Sequence, residues 1–394
     1  MISMESILII GIAIALLFNF LNGLHDAANS ISTIVATRVL TPLQAVCLAA
    51  FFNLIGPLFF TTAIAKTIGK GIVAPEWLTL EVIIVGILVA SFWIYTTAYI
   101  GIPISSTHAM VGGLIGTAVA YGGMSVVILP SLPFIGGVIL FGLIGALIGA
   151  VFLAGIAKRK HEPDLNHYLK IGGFFGFVFS IPLCIMFHIL PISGLLGIIL
   201  FIVISPSLGF AGAFIFGCLV IRLCRNADQQ VMNKIFNKLQ IVSASFYSIG
   251  HGSNDAQHAM GIITAMLVTA GVLNDFHVPL WVILMSSAAI SLGTLTGGWK
   301  IVRTMAKRIT HLRPYQGFCA EAGGGFVLLF VTLFGVPVSS THAISGCIMG
   351  VGATQGSSAV QWSIVRQIVT AWIITIPLTA TCAYCVFMVI QQIW

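Results

Sequence analysis

The chain has 394 residues, of which 58% are hydrophobic and only 7% charged, with a formal net charge of +7. Soluble domains carry about 25% charged residues, so this composition excludes a soluble globular protein and indicates one embedded in a bilayer. In such a protein a basic surplus belongs to cytoplasmic loops, and no nucleic-acid partner is expected.

In chain order, apolar runs cover residues 7–20, 43–65, 80–100, 134–157, 172–190, 193–221, 259–273, 281–298, 324–336 and 364–392. Most are long enough to cross, as helices, an apolar core about 30 Å thick. The expected fold class is an all-α integral membrane protein with about 10–12 transmembrane helices. The shorter runs, with polar residues beside them, predict helices that break or re-enter at the midplane. The opening "MISMESILII" lacks a basic stretch and a small-residue cleavage site, so it reads as entering the first span and not as a removable leader. Eight cysteines are scattered, and the Cys382/Cys385 pair has no second pair to complete a zinc site, so they read as small core residues.

Lysine and arginine cluster at 158–170, 222–238 and 300–313, which the positive-inside rule places in the cytoplasm. The loop from 66 to 81 balances Lys66 and Lys70 with Glu76 and Glu81, as an external loop would. The expected location is therefore the cell membrane, crossed many times, with the N-terminus outside. If residues 1–157 and 241–394 are related halves, their corresponding loops 66–81 and 300–313 lie on opposite sides. That is the pattern of an inverted-topology repeat. Residues 158–240, with two apolar runs, then connect the halves.

Two motifs support the repeat. "GIPISSTHAMVGG" at 101–113 matches "GVPVSSTHAISGC" at 335–347, and Gly116 matches Gly350. "GLHDAANS" at 23–30 aligns with "GSNDAQHA" at 252–259 through Gly23/Gly252, Asp26/Asp255 and Ala27/Ala256.

Of ten acidic residues, only Asp26, Asp255 and Glu321 sit within or beside apolar helices. A charge there costs at least about 2.5 kcal/mol. No lysine or arginine lies in an apolar run at similar depth to Asp26 and Asp255, whereas Glu321 lies within reach of a helix-end base, Arg313. The natural partner of the two aspartates is a mobile cation. Sodium takes carboxylate, amide and backbone oxygens, and the segments 22–29 and 252–255 offer all three. A proton is the competing coupling ion, because His25 and His251 stand beside the aspartates.

The hydroxyl clusters carry the other half of the chemistry. Pro103 suits a first helical turn, so residues 105–108 fall where backbone N–H groups are free and the helix dipole is positive. With three hydroxyls added, each cluster can receive an oxyanion. Ordinary helix capping would explain one cluster, but it does not require two at matching positions. His108 and His342 either orient a hydroxyl or contact the substrate. A tetrahedral dianion with no resident base must enter with cations, so cation-coupled symport is expected. Phosphate, which can donate a proton to a carboxylate, fits better than sulfate, which only accepts hydrogen bonds.

These motifs resemble the inorganic phosphate transporter (PiT) family, whose members carry duplicated G-x-N-D-x-x-N-[AS] and P-[VI]-S-[ST]-T-H signatures in inverted halves. The likeness covers nearly all of the chain outside 158–240. It implies uptake of phosphate, or of sulfate in some members, coupled to Na+ or H+. It assigns Ser105, Ser106, Thr107, Ser339, Ser340 and Thr341 to the anion, and Asp26, Asn29, Asn254, Asp255 and Glu321 to the coupling ion. Sodium, if it is that ion, is expected at Asp26 and Asp255. His25, His108, His251 and His342 are accessory candidates. His25 and His258 stand where the signatures often have asparagine, and Ile87 occupies the first-half position that corresponds to Glu321.

The expected partners are inorganic phosphate, Na+ or H+ and the lipid bilayer, with homo-oligomerisation left open; no cofactor is expected. A passive anion channel is the nearest alternative. An intramembrane hydrolase is disfavoured, because each candidate nucleophile is duplicated and no G-x-S-x-G elbow is present. The protein is therefore expected not to be an enzyme.

Overall fold

The computed structural model describes residues 3–190 and 194–393. The start of the 193–221 run, at residue 193, lies outside them. Fourteen α-helices follow in order: α1 (Met4–Ala36), α2 (Pro42–Ile55), α3 (Ala63–Lys70), α4 (Leu80–Ile100), α5 (Ser106–Gly122), α6 (Leu132–Arg159) and α7 (Leu165–Met186). Then come α8 (Gly194–Leu223), α9 (Gln229–Thr269), α10 (Leu280–Thr296), α11 (Trp299–Arg308), α12 (Pro314–Leu333), α13 (Ser340–Ala353) and α14 (Trp362–Ile393). Among the described residues there is no strand, only an isolated bridge between Val73 and Val127.

The helix boundaries follow local chemistry. Ser3, Thr79, Ser131, Asp164 and Asp228 each accept a hydrogen bond from an amide in the first turn of the helix that follows. Thr41 and Gln44 form a reciprocal capping box ahead of Pro42. α4 ends at Gly101, whose φ of +86° is a left-handed conformation that an L side chain rarely adopts.

Among the described residues, eight helices are long and apolar enough to cross a membrane, or nine when α10 and α11, bent by 67° at their junction, count as one broken span. Each of the ten apolar runs falls mainly on one helix, although the run at 43–65 continues past α2 into α3. The eight are α1, α2, α4, α6, α7, α8, α12 and α14, with α2 extended by a 3-10 turn to Phe59. The run at 281–298 is the bent pair's α10. The run at 259–273 is the end of α9, which falls short because the same helix carries His251, Ser253, Asn254, Asp255, Gln257 and His258.

The polarity is that of a membrane protein. Outward-facing residues of α6, including Leu140, Leu143, Leu147 and Phe152, are exposed, while Asn22, His25, Asp26 and Asn29 on α1 are buried. Polar groups are placed inside and apolar ones face lipid.

α4 and α5 form an antiparallel hairpin. Its tip is the stretch around Gly101; Gly86 packs on Gly113 midway; Gly122 at the open end lies against Trp77. α12 and α13 form the matching hairpin. Its tip is at Gly335, whose φ is +66°, and its open end is tied by Gln316 Nε2 donating to the Val351 carbonyl at 3.0 Å. Each second arm lies against another long helix at two glycines. A Cβ on Gly112 or Gly116 would strike the backbone of α14 at Ile376 and Ala380. A Cβ on Gly346 or Gly350 would strike α8 at Pro206 and Phe210. The helix α8 of the middle segment thus does for α13 what α14 does for α5.

The two ends of the molecule differ in charge. Arg38, Lys307 and His311 line one cavity at the end where α1 and α11 finish. Lys70 and Glu76 lie together at the opposite end, beside Thr269 at the end of α9.

Candidate anion and cation site

α1 and α9 bring their signature segments side by side, and a glycine in each segment lets a further helix pack closely against it. A Cβ on Gly23 would meet the Ile290 carbonyl of α10, and one on Gly252 would meet Asn53 of α2. Asp26 and Asp255 then lie within one cluster. One ligand atom each from Asp26, His251 and Asp255 falls within 4.8 Å of the others, and all three residues are buried. Among the described residues, no lysine or arginine pairs with either aspartate; both carboxylates contact imidazoles instead. His25 Nδ1 lies 2.6 Å from Asp26 Oδ1, and His251 Nε2 lies 3.1 Å from Asp255 Oδ2.

The hydroxyl clusters close on these carboxylates from the two hairpin tips. Ser105 and Ser339 are the N-caps of α5 and α13, accepting from the amides of His108 and His342 at 3.2 and 3.3 Å. Capping engages the oxygen and leaves each hydroxyl hydrogen free to donate. Ser106 Oγ donates to Asp26 Oδ2, and Ser340 Oγ donates to Asp255 Oδ2, both at 2.9 Å. Thr341 Oγ1 reaches Asp26 Oδ1 at 3.3 Å. Asn29 Nδ2 donates to Ser340 Oγ and Thr341 Oγ1 at 3.2 and 3.0 Å, and His258 Nε2 lies 3.2 Å from Thr107 Oγ1. Asn254 Nδ2 holds the Val338 carbonyl at 3.2 Å.

His108 and His342 meet edge to face, with centroids 4.9 Å apart. His342 also stacks on Trp372 at 3.9 Å, and Trp372 Nε1 donates to the Pro103 carbonyl at 3.2 Å. These two imidazoles join the hairpin tips to each other.

Several buried polar atoms here have no hydrogen-bond partner among the described residues: both amide atoms of Asn22, Oδ1 of Asn29 and Asn254, Asp255 Oδ1 and His25 Nε2. Groups of this kind are stable in an apolar surround only if something satisfies them. Carboxylate and amide oxygens beside hydroxyls and helix N-termini can hold a cation and an oxyanion together.

Glu321 stands apart from this cluster. It is fully buried on α12, where Thr33 Oγ1 donates to it at 2.6 Å, Gln240 Nε2 at 3.1 Å, and Ser243 Oγ to its other oxygen. None of these partners is charged, and Arg313 is not among them. Thr37 extends the chain of bonds by donating to Gln240 Oε1 at 2.9 Å.

The motifs missed several members of the site. Asn53 contacts His251 at 3.1 Å, and Tyr247 donates to the Ser340 carbonyl at 3.3 Å. Thr33, Gln240 and Ser243 surround Glu321. Thr33 was visible in principle, because it follows Asp26 and Asn29 at helical spacing on α1; the others belong to segments without a distinguishing pattern.

Membrane-spanning helices that place buried carboxylates with no lysine or arginine partner beside hydroxyl-bearing hairpin tips are the arrangement of a multi-pass membrane transporter. A model of the phosphate transporter family matches residues 22–383, and the chain belongs to that family. It is 43% identical over 370 residues to a probable low-affinity inorganic phosphate transporter of Rhizobium meliloti (strain 1021), covering 94% of this chain and 92% of the relative. It is 34% identical to a similarly named protein of Bacillus subtilis (strain 168), covering 99% and 100%. Its fold is similar to a solved structure described as the sodium-dependent phosphate transporter. The TM-score is 0.69 at 23% identity, over 99% of this chain and 100% of that one.

Proposed function

We propose that the protein imports inorganic phosphate across the cell membrane by symport with a cation, Na+ or H+. The anion is held by Ser105, Ser106, Thr107, Ser339, Ser340 and Thr341. The coupling ion is held by Asp26, Asn29, Asn254 and Asp255, with Glu321 as a further cation ligand. The observation that carries this reading is the pair of buried aspartates that share one cluster, face a serine from each hairpin tip and have no lysine or arginine partner among the described residues. A phosphate dianion entering such a site meets negative charge unless a cation arrives with it.

Residues 1–157 and 241–394 act as two inverted halves, joined by 158–240. The equivalent bonds from Ser106 and Ser340 support this arrangement, as do the two hairpins that reach the same cluster. The N-terminus is placed outside, because α1 runs toward the end where Arg38, Lys307 and His311 gather. His25 on Asp26 and His251 on Asp255 supply a proton carrier beside each carboxylate, which favours H+ as the coupling ion.

The test is uptake of radiolabelled phosphate into proteoliposomes with sodium and proton gradients imposed independently. Accumulation that follows one gradient supports symport and identifies the ion. Flux indifferent to both would make the protein a channel, and sulfate displacing phosphate at equal concentration would reassign the anion.

A further inference from the structure

We propose that Thr67 on α3 and Thr304 on α11 are positioning residues for the anion site, each holding from one half the hairpin tip of the other. The proposal rests on the phosphate-symport reading above. Thr304 Oγ1 donates to the Gly101 carbonyl at 2.9 Å, and Thr67 Oγ1 donates to the Gly335 carbonyl at 2.8 Å. Each threonine also bonds, at 3.2 Å, the carbonyl four residues back in its own helix, Lys300 or Ala63. Those same two residues pack on the turns: a Cβ on Gly101 would lie 3.0 Å from Lys300 Cβ, and one on Gly335 would lie 3.0 Å from Ala63 Cβ.

The two ties are therefore the same construction made twice. Gly101 and Gly335 end α4 and α12 in the left-handed conformation, and the Ser-Ser-Thr ends begin a few residues later. A carbonyl pinned at that turn sets where the hydroxyls stand relative to Asp26 and Asp255. Without the tie the tip gains freedom, and the hydroxyls must be ordered again each time the anion binds.

The ties differ in one respect. Lys300 Nζ also donates to the Tyr99 carbonyl at 2.8 Å and sits 4.0 Å from the centre of the Tyr99 ring. Ala63, its counterpart, can make neither contact. The turn at Gly101 thus carries, through Lys300, a second tie from the supporting helix that the turn at Gly335 lacks, so loss of the threonine hydroxyl matters more at Thr67 than at Thr304.

Phosphate uptake into proteoliposomes by Thr67→Val, Thr67→Ser, Thr304→Val and the double variant Thr304→Val/Lys300→Met, each resolved into KM and Vmax, tests this. Thr67→Val is expected to raise the phosphate KM about fivefold with Vmax within about twofold of wild type, while Thr67→Ser retains the wild-type KM. Thr304→Val is expected to raise KM less, and the double variant to match Thr67→Val. An unchanged KM in Thr67→Val and the double variant, with lower Vmax or yield alone, would overturn the proposal in favour of a merely structural tie. If the valine variants do not fold, Thr67→Ala and Thr304→Ala serve instead, and failure of these to fold would overturn it equally. A wild-type protein that moved no phosphate would overturn the functional reading, whereas normal transport with unaltered variants would overturn only this inference.

Discussion

Ser106 and Ser340 stand on different hairpins and donate the same hydrogen bond, each 2.9 Å from a carboxylate oxygen, one on Asp26 and the other on Asp255. Each thereby links a hydroxyl-bearing helix end, the proposed anion receptor, to a buried carboxylate, the proposed cation ligand. A ligand that draws the serine hydroxyl away frees a carboxylate oxygen for a cation. In the proposed symport, binding of the two ions would be coupled through one shared atom pair on each side.

Asp26→Asn and Asp255→Asn should each abolish phosphate accumulation in proteoliposomes. Each leaves a neutral amide where the cation needs a charge, and its nitrogen cannot accept from the serine. Asp228→Asn, at the exposed N-cap of α9, should leave accumulation near normal. Wild-type accumulation in either buried variant would remove that carboxylate from the mechanism.

The serines of each cluster should separate by their effect on stability. Ser105→Ala and Ser339→Ala remove N-caps, and each should lower stability by about 1 kcal/mol, read as a drop in melting temperature in detergent. Ser106→Ala and Ser340→Ala should melt closer to wild type and raise the phosphate KM about tenfold. All four variants should bind phosphate more weakly, and a wild-type phosphate KM in any of them would remove that serine from the anion site.

Glu321→Gln tests whether the isolated carboxylate serves the cation. Three neutral donors converge on it, and the amide nitrogen of glutamine would face one of them. The cation concentration giving half-maximal uptake should rise about tenfold, with the phosphate KM changed less than threefold. Equal shifts in both would place Glu321 in the common cluster instead.

Gly346→Leu should prevent accumulation of folded protein, because its Cβ would collide with the Pro206 carbonyl. Gly136→Leu, at a position where a Cβ would meet nothing within 4 Å, should fold and transport. Size-exclusion profiles of the two purified variants make the comparison, and equal yields would show that α8 can move away from α13.

Much of the site was legible in the chain because membrane burial makes polar residues costly. Asp26, Asp255 and the paired Ser-Ser-Thr-His stretches stood out against apolar runs, and the structure places them together. Glu321 stood out for the same reason, yet its partners Thr33, Gln240 and Ser243 did not. Serine, threonine and glutamine are tolerated inside helices at small cost, so their presence alone signals little. Tyr247 and Asn53 were hidden likewise, since each acts through one contact that folding creates.

Sequence alone determined that the chain is helical, lies in a membrane and carries a duplicated set of carboxylates and hydroxyls, because composition and local spacing are properties of the chain itself. Only the tertiary structure decided that Ser105 and Ser339 cap helices while Ser106 and Ser340 reach the aspartates. It alone decided that α8 from the middle segment supports α13, and that Glu321 sits in a pocket of its own. Those relations depend on which backbone approaches which, and glycines such as Gly23, Gly252, Gly112 and Gly346 permit a contact without naming the partner that makes it.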